Sequence, residues 1–356
     1  MKILQVIPYF CFGGAETMCE NLTYAQIKLG HSVTVVSLYN EQTPISRRME
    51  EAGIRILYLD KKLGLDVSMV PKLVKILGRE KPDVVHTHLD VIKYAVAAAR
   101  LSGIRRCVHT VHNVAEKEAE GRVQKLINTV YFRLGWSLPV ALSPEVQRTI
   151  VSFYGMKEEK VPVIYNGVDL SRCLPKTGYE LSKPVQLLHI GRFNYQKNHR
   201  GLLDAFSLIL QKHPNCCLNL LGDGELQQEV EAYARELGIR EKVIFHGSQT
   251  DVYPYLHDAD IFLLPSKFEG MPMTIIEAMG TGLPVVASAV GGVPDMLRNG
   301  ESGMLVSQEP RSVADAVLQL LQQEDLRKAL GENARKDSNQ FSAEHMAEAY
   351  CNVYNH

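Results

Sequence analysis

The segment FEGMPMTIIEA, residues 268–278, places two carboxylates, Glu269 and Glu277, eight residues apart around a glycine and the start of an apolar helical pattern. In helical register that spacing is about two turns, which brings both acids to similar faces. The amides of Gly270 to Thr274 lie between them, where the first turn of a helix leaves N–H groups without intrahelical partners. Backbone donors suit a diphosphate, and carboxylates accept hydrogen bonds from sugar hydroxyls. A solvated acidic helix start gives the same pattern, since the macrodipole favours it. The side chains of Met271, Met273 and Ile276 read as packing residues. Upstream, Gly191-Arg192 follows an apolar run and Lys197-Asn198 opens the next helical stretch. Arg forks two phosphate oxygens and Lys supplies a point charge. In the first half, Gly13-Gly14 follows another apolar run, where a glycine turn and a helix N-terminus attract anions. His112 closes the run CVHTVH, and His86 and His88 close the run before it; a structural role is the alternative for each.

These residues fall at the ends of short, β-branched, uninterrupted apolar runs. The runs 2–8, 32–38, 54–59, 83–88, 107–112 and 138–143 read as buried parallel strands. Helical patterns at 15–29, 70–79 and 92–101 separate them. The alternation restarts with strands at 185–191, 217–222, 242–247, 259–266 and 284–288. Helices are expected near 198–212, 225–237, 250–257, 272–280 and 292–298. This is an α/β chain of two doubly wound Rossmann-like domains, residues 1–170 and 171–342, with a linker in the Gly/Pro-rich stretch 167–184. A last helix, about 343–356, has no strand of its own and is free to return to the first domain. Open parallel sheets bind ligands beyond the carboxyl ends of their strands, which is where the residues above stand, at the edges of a central cleft.

Composition narrows the function classes. The 356 residues are 46% hydrophobic and 22% charged, with 39 Lys/Arg against 40 Asp/Glu, which excludes a generally basic nucleic-acid binder. Residues 1–170 carry 22 Lys/Arg and 17 Asp/Glu, whereas residues 171–356 carry 17 and 23, which is either chance scatter or a first half that faces an anionic partner. Seven cysteines without ligand spacing imply reduced thiols, with no disulfide framework and no metal site. There is no secretory leader pattern and no run near 20 apolar residues, so a cytoplasmic protein is expected. GxGxxG and P-loop spacings are missing, which disfavours a nicotinamide dehydrogenase.

Taken in order, GGAE (13–16), DVVHTH (83–88), TVHN (110–113), IYNGVD (164–169), HIGR (189–192), LLGDGE (220–225), FHGS (245–248) and Glu269-x7-Glu277 make the chain resemble family 4 of the glycosyltransferases, over nearly its whole length. The resemblance implies the GT-B fold and a retaining, metal-independent transfer of a hexosyl or N-acetylhexosaminyl group. The donor would be a nucleoside-diphosphate sugar, UDP-sugar rather than GDP-sugar, with no other cofactor. Arg192 and Lys197 correspond to the diphosphate-holding pair, with Gly191 beside them. Glu277 matches the carboxylate at the ribose, Glu269 the one at the sugar, with Gly270, Met271, Met273 and Thr274 adjoining. His112 matches the histidine at the sugar's reacting centre, and Gly14 the loop glycine at the phosphates. Lys197-Asn198 replaces the Lys-Gly of many relatives and keeps the lysine. A GT-B phosphorylase or epimerase, and a non-catalytic subunit of a transferase complex, are the alternatives.

The acceptor would be a glycan or a lipid-linked molecule of bacterial surface polysaccharide or glycolipid synthesis. In residues 121–136, Val123, Leu126, Ile127, Val130, Tyr131 and Leu134 recur at helical spacing beside Arg122, Lys125 and Arg133. Such a helix either packs on its own sheet or lies reversibly on an anionic membrane surface.

Overall fold

The computed structural model describes residues 1–11, 13–119 and 121–355. The chain divides into two compact units, Met1–Gly167 with Ala343–His356, and Val168–Ser342.

The first unit is built on β1 (Lys2–Ile7), β2 (Ser32–Ser37), β3 (Arg55–Tyr58), β4 (Val84–His88), β5 (Cys107–Val111) and β6 (Leu138–Ala141). They form one parallel sheet in the order β3-β2-β1-β4-β5-β6. Apart from its first residue β1 is buried throughout, and β4 and β5 are wholly buried, because crossover helices cover both faces. Leu4, Val6, Val85, Ile92, Ala95 and Ile150 belong to the main core on one side; Ile7, Val35, Met49 and Ile54 belong to a smaller one.

The second unit repeats this plan with β7 (Val185–Ile190), β8 (Cys216–Leu221), β9 (Val243–Gly247), β10 (Ile261–Leu264), β11 (Val285–Ser288) and β12 (Met304–Val306). The order is β12-β11-β10-β7-β8-β9, again parallel. Its sixth strand, β12, is absent from the sequence-based list. It is three residues long, too short to show a period, and is held by pairing Val286 with Met304 and Ser288 with Val306. The expected helix at 292–298 is a single turn, Val293–Met296, and that at 250–257 is Tyr253–Asp258.

In both sheets strand order reverses between the first and fourth strands, β1/β4 and β7/β10. Crossovers leave in opposite directions there, so no helix covers the crevice at the strand ends. The terminal helix Ala343–Asn355 belongs to the first unit and packs along Gly14–Lys28. Its buried Tyr354 hydroxyl meets Gln26 Nε2 at 3.1 Å and His86 Nδ1 at 2.6 Å.

Candidate active site

In the second unit the chain leaves β7 through Gly191 and Arg192, at the reversal point. Gly222, just beyond β8, has φ +130°, and a methyl there would sit 2.2 Å from the Gly191 carbonyl oxygen. Only glycine lets the two loops run this close. Gly191 N donates to Leu221 O at 2.9 Å, and Phe193 N to Asp223 O at 2.7 Å. A 3₁₀ turn, Tyr195–Lys197, follows, its Asn194 side chain accepting from Lys197 N at 3.2 Å. Asn198 then takes a left-handed conformation, φ 55°, so the helix begins at His199 rather than at Lys197-Asn198.

Across the crevice, beyond β10, Lys197 Nζ meets Glu269 Oε1 at 2.6 Å, in a pair with side chains only 15% and 5% exposed. Gln196 Nε2 donates to Glu269 Oε2 at 3.1 Å and to Phe268 O at 3.0 Å. Gly291, φ +55°, braces Glu269 from behind: a methyl there would lie 1.7 Å from its carbonyl oxygen. Gly292 N donates to Gly270 O at 2.9 Å. Gln196, Gly222 and Gly291 carry the site's geometry; Gly222 lies in the LLGDGE motif, whereas Gln196 and Gly291 belong to none of the motifs above. The signal available was the Gly291-Gly292 pair following the apolar run 284–288.

Two expectations are corrected here. The helix begins at Met273, so Glu269 lies in the preceding loop and does not share helical register with Glu277. Nor is the stretch Gly270–Thr274 an unbroken row of donors: Pro272 has no N–H, and its carbonyl already accepts from Ile275 N at 3.2 Å. Glu277 is buried within the helix. The Met271 and Met273 side chains are buried as well, which leaves their backbone as the part that could meet a ligand. Among the described residues, the hydroxyls of Ser266, Thr274 and Ser288 are buried without a hydrogen-bond partner, around the ends of β10 and β11. Unpaired buried hydroxyls call for a ligand or water.

In the first unit, Gly14 opens the helix after β1 and His112 follows β5, with β4 between. Phe12 lies outside the described residues. The Glu16 carboxylate folds back toward Gly13 and accepts from the Cys11 thiol at 2.9 Å, so this helix start already holds a negative group. His112 Nε2 meets His88 Nδ1 at 3.0 Å. Its backbone N donates to Glu118, which also accepts from Asn113 N at 3.2 Å and pairs with His109 Nε2 at 3.0 Å. Burial holds His86 and His88 well below the ordinary imidazole range and lowers His112 to about 4. In the second unit it lowers His189 to about 4 and His199 to about 2. Among the described residues no group of three or more His, Cys, Asp or Glu could hold a metal ion.

Two family models cover almost all of the chain. Glycosyltransferase Family 4 matches residues 12–172, and Glycosyl transferases group 1 matches residues 177–337. The chain belongs to the group 1 glycosyltransferases. This glycosyltransferase is 29% identical to an uncharacterized glycosyltransferase of Methanocaldococcus jannaschii, across 99% of this chain and 98% of that one. It is 28% identical to the UDP-Gal:alpha-D-GlcNAc-diphosphoundecaprenol alpha-1,3-galactosyltransferase of Escherichia coli, across 80% and 85%. Its fold matches Anabaena HepE in complex with UDP and glucose, with TM-score 0.86 and 20% identity over 100% and 99% of the two chains. That places the glycosyltransferase in the GT-B class.

Gly291→Ala is expected to displace Glu269 and lower turnover at least tenfold, since neither the positive φ nor the contact tolerates a Cβ; wild-type turnover at unchanged stability contradicts this bracing role. Stability should also fall with pH. The five lowered imidazoles stay neutral in the folded state but protonate near 6.5 when unfolded. They therefore withdraw stability as pH falls below 6.5, until their own folded values are reached. Guanidinium melts at pH 7.5, 6 and 5 should show a falling midpoint; a flat profile overturns it.

Proposed function

We propose that this glycosyltransferase moves a hexosyl or N-acetylhexosaminyl group from a UDP-sugar to a hydroxyl of a glycan or lipid-linked acceptor, with retention and without a metal. The observation that carries this reading is the buried Lys197–Glu269 pair beside Gly191-Arg192 at the reversal point of the second sheet. Arg192 and Lys197 neutralise the diphosphate. An ammonium has three donors, so Lys197 can keep Glu269 while donating to phosphate. Glu269 then accepts from a sugar hydroxyl and Glu277 from the ribose. The Met273 and Thr274 amides face the phosphates. His112 acts at the sugar and Gly14 at the phosphates. As the bond from the anomeric carbon to the phosphate oxygen breaks, charge grows on the diphosphate, and fixed cations stabilise it without reorganising. The acceptor oxygen attacks from the leaving group's side, and its proton passes to the departing phosphate oxygen. UDP is favoured by the names of the E. coli relative and of the HepE complex with UDP-glucose. A lipid-linked acceptor is favoured by the same E. coli name, and surface glycans by the Lipopolysaccharide 1,6-galactosyltransferase of Salmonella typhimurium, 31% identical across half of each chain.

Contact with a membrane surface belongs to this reading. On the helix Arg122–Arg133, Val123 is 71% and Leu126 65% exposed, and Val130 and Leu134 continue the same stripe outward. The side that packs inward carries Asn128 and Phe132. Arg122 and Lys125 flank the apolar stripe, which suits an anionic cytoplasmic leaflet. Among the described residues no helix is long and apolar enough to cross a membrane.

Lys197→Ala and Glu277→Ala should each lower turnover about a hundredfold while remaining folded, because one charge-assisted contact at a developing charge contributes on the order of 3 kcal/mol. Wild-type turnover should persist in EDTA. Near-normal activity in both variants, or activity that needs Mg²⁺ or Mn²⁺, overturns the assignment. The protein should co-sediment with phosphatidylglycerol liposomes at low salt and be released at high salt, where exposed charges are screened. Retention in the supernatant at both salts, with unchanged activity of Arg122→Glu/Lys125→Glu on a lipid-linked acceptor, rules out the membrane contact.

A further inference from the structure

Seven buried polar side chains of the first unit, Gln5, Gln26, His86, His88, Thr110, Tyr350 and Tyr354, form one continuous, directional chain that ends at His112. Gln5 spends its amide nitrogen on Gln26 Oε1, at 3.0 Å. That leaves Gln5 Oε1, an acceptor, facing His88 Nε2 at 2.7 Å, so the His88 proton sits on Nε2. His88 is wholly buried and neutral, so its Nδ1 carries a bare lone pair. The partner of that lone pair is His112 Nε2, 3.0 Å away, which must therefore be the donor. A neutral imidazole has one proton, and placing it on Nε2 leaves Nδ1 of His112 as an acceptor with no protein partner among the described residues.

The other end of the chain is anchored on the terminal helix. Gln26 Nε2 donates to the Tyr354 oxygen at 3.1 Å, and the Tyr354 hydroxyl donates to His86 Nδ1 at 2.6 Å. His86 Nε2 then donates to Thr110 Oγ1 at 2.7 Å, whose proton goes on to the Tyr350 oxygen, also at 2.7 Å. With Gln5 and Gln26 oriented in this way one donor meets one acceptor at every link, and turning both amides over would reverse every link, so the direction is what the proposal commits to.

We propose that the relay Tyr354–Gln26–Gln5–His88 holds His112 in its Nε2–H tautomer, so that Nδ1 accepts a hydrogen bond from a hydroxyl of the donor sugar. Gln5 and His88 are positioning residues that act through His112. The catalytic consequence rests on the placement of His112 at the sugar under Proposed function; the tautomer itself does not.

The test is a two-bond ¹H–¹⁵N correlation spectrum of the full chain labelled with ¹⁵N-histidine. It is recorded for wild type, Gln5→Met, which removes the acceptor for His88, and Gln5→Glu, which keeps it. Hydrolysis of UDP-glucose and UDP-galactose is followed alongside. Wild-type His112 should show the Nε2–H pattern, become a mixture of tautomers in Gln5→Met, and recover in Gln5→Glu. Hydrolysis should follow, with kcat down about tenfold in Gln5→Met and donor KM unchanged. An Nδ1–H pattern in wild type overturns the proposal without recourse to any variant. So does a His112 spectrum that Gln5→Met leaves unaltered while only the melting temperature falls, as expected of a packing residue. A tautomer change with unaltered kcat supports the relay and removes His112 from the sugar site.

Discussion

A parallel sheet whose strand order reverses cannot be covered by crossover helices at the point of reversal, and the rest of this protein is arranged around that geometric fact. Each unit has its own reversal, β1/β4 and β7/β10. In the second, the strands deliver Gly191-Arg192 from one side and the loop leading to Glu269 from the other. The loops at these strand ends approach closely because Gly222 and Gly291 have no side chains: the first lets the loop after β8 touch Gly191, the second lets the loop after β11 touch Glu269. Two glycines with positive φ thus set the position of an ion pair whose partners are 72 residues apart.

Burial makes that ion pair consequential. A carboxylate and an ammonium removed from water each need a full set of partners, and the Gln196 amide supplies the second oxygen of Glu269 with its own. The pair is therefore held in one geometry, and under the proposed reaction its cation meets developing charge without solvent reorganisation, the condition under which fixed electrostatics accelerate a reaction most.

The first unit meets the cost of burying polar groups differently. Its wholly buried β4 and β5 carry His86, His88 and His109 among their valines, and imidazoles can be neutral, donate at one nitrogen and accept at the other. A file of such groups satisfies itself only if every member adopts one tautomer. The terminal helix completes the file through Tyr350 and Tyr354, which gives this distant segment a link to the loop after β5.

The alternation of short apolar runs with helical patterns was legible without coordinates, because parallel strands buried on both faces must be β-branched and uninterrupted, and so was the α/β class that follows. The polar residues at the ends of those runs, Arg192, Lys197, Glu269 and Glu277, stood out for the same reason. Beyond this, local pattern carries no information. Helical spacing put Glu269 and Glu277 on one face, whereas the chain is not helical until Met273, because Pro272 cannot supply a helical N–H from the interior of a turn. The strand β12 exists only through its pairing with β11, being too short to declare a period. The contacts of Lys197 with Glu269, of Glu269 with Gly291, and of His86 with Tyr354, 268 residues away, follow from the order in which strands lie side by side. Periodicity tells each segment which face to bury; only the assembled sheet decides which buried faces, and which strand ends, meet.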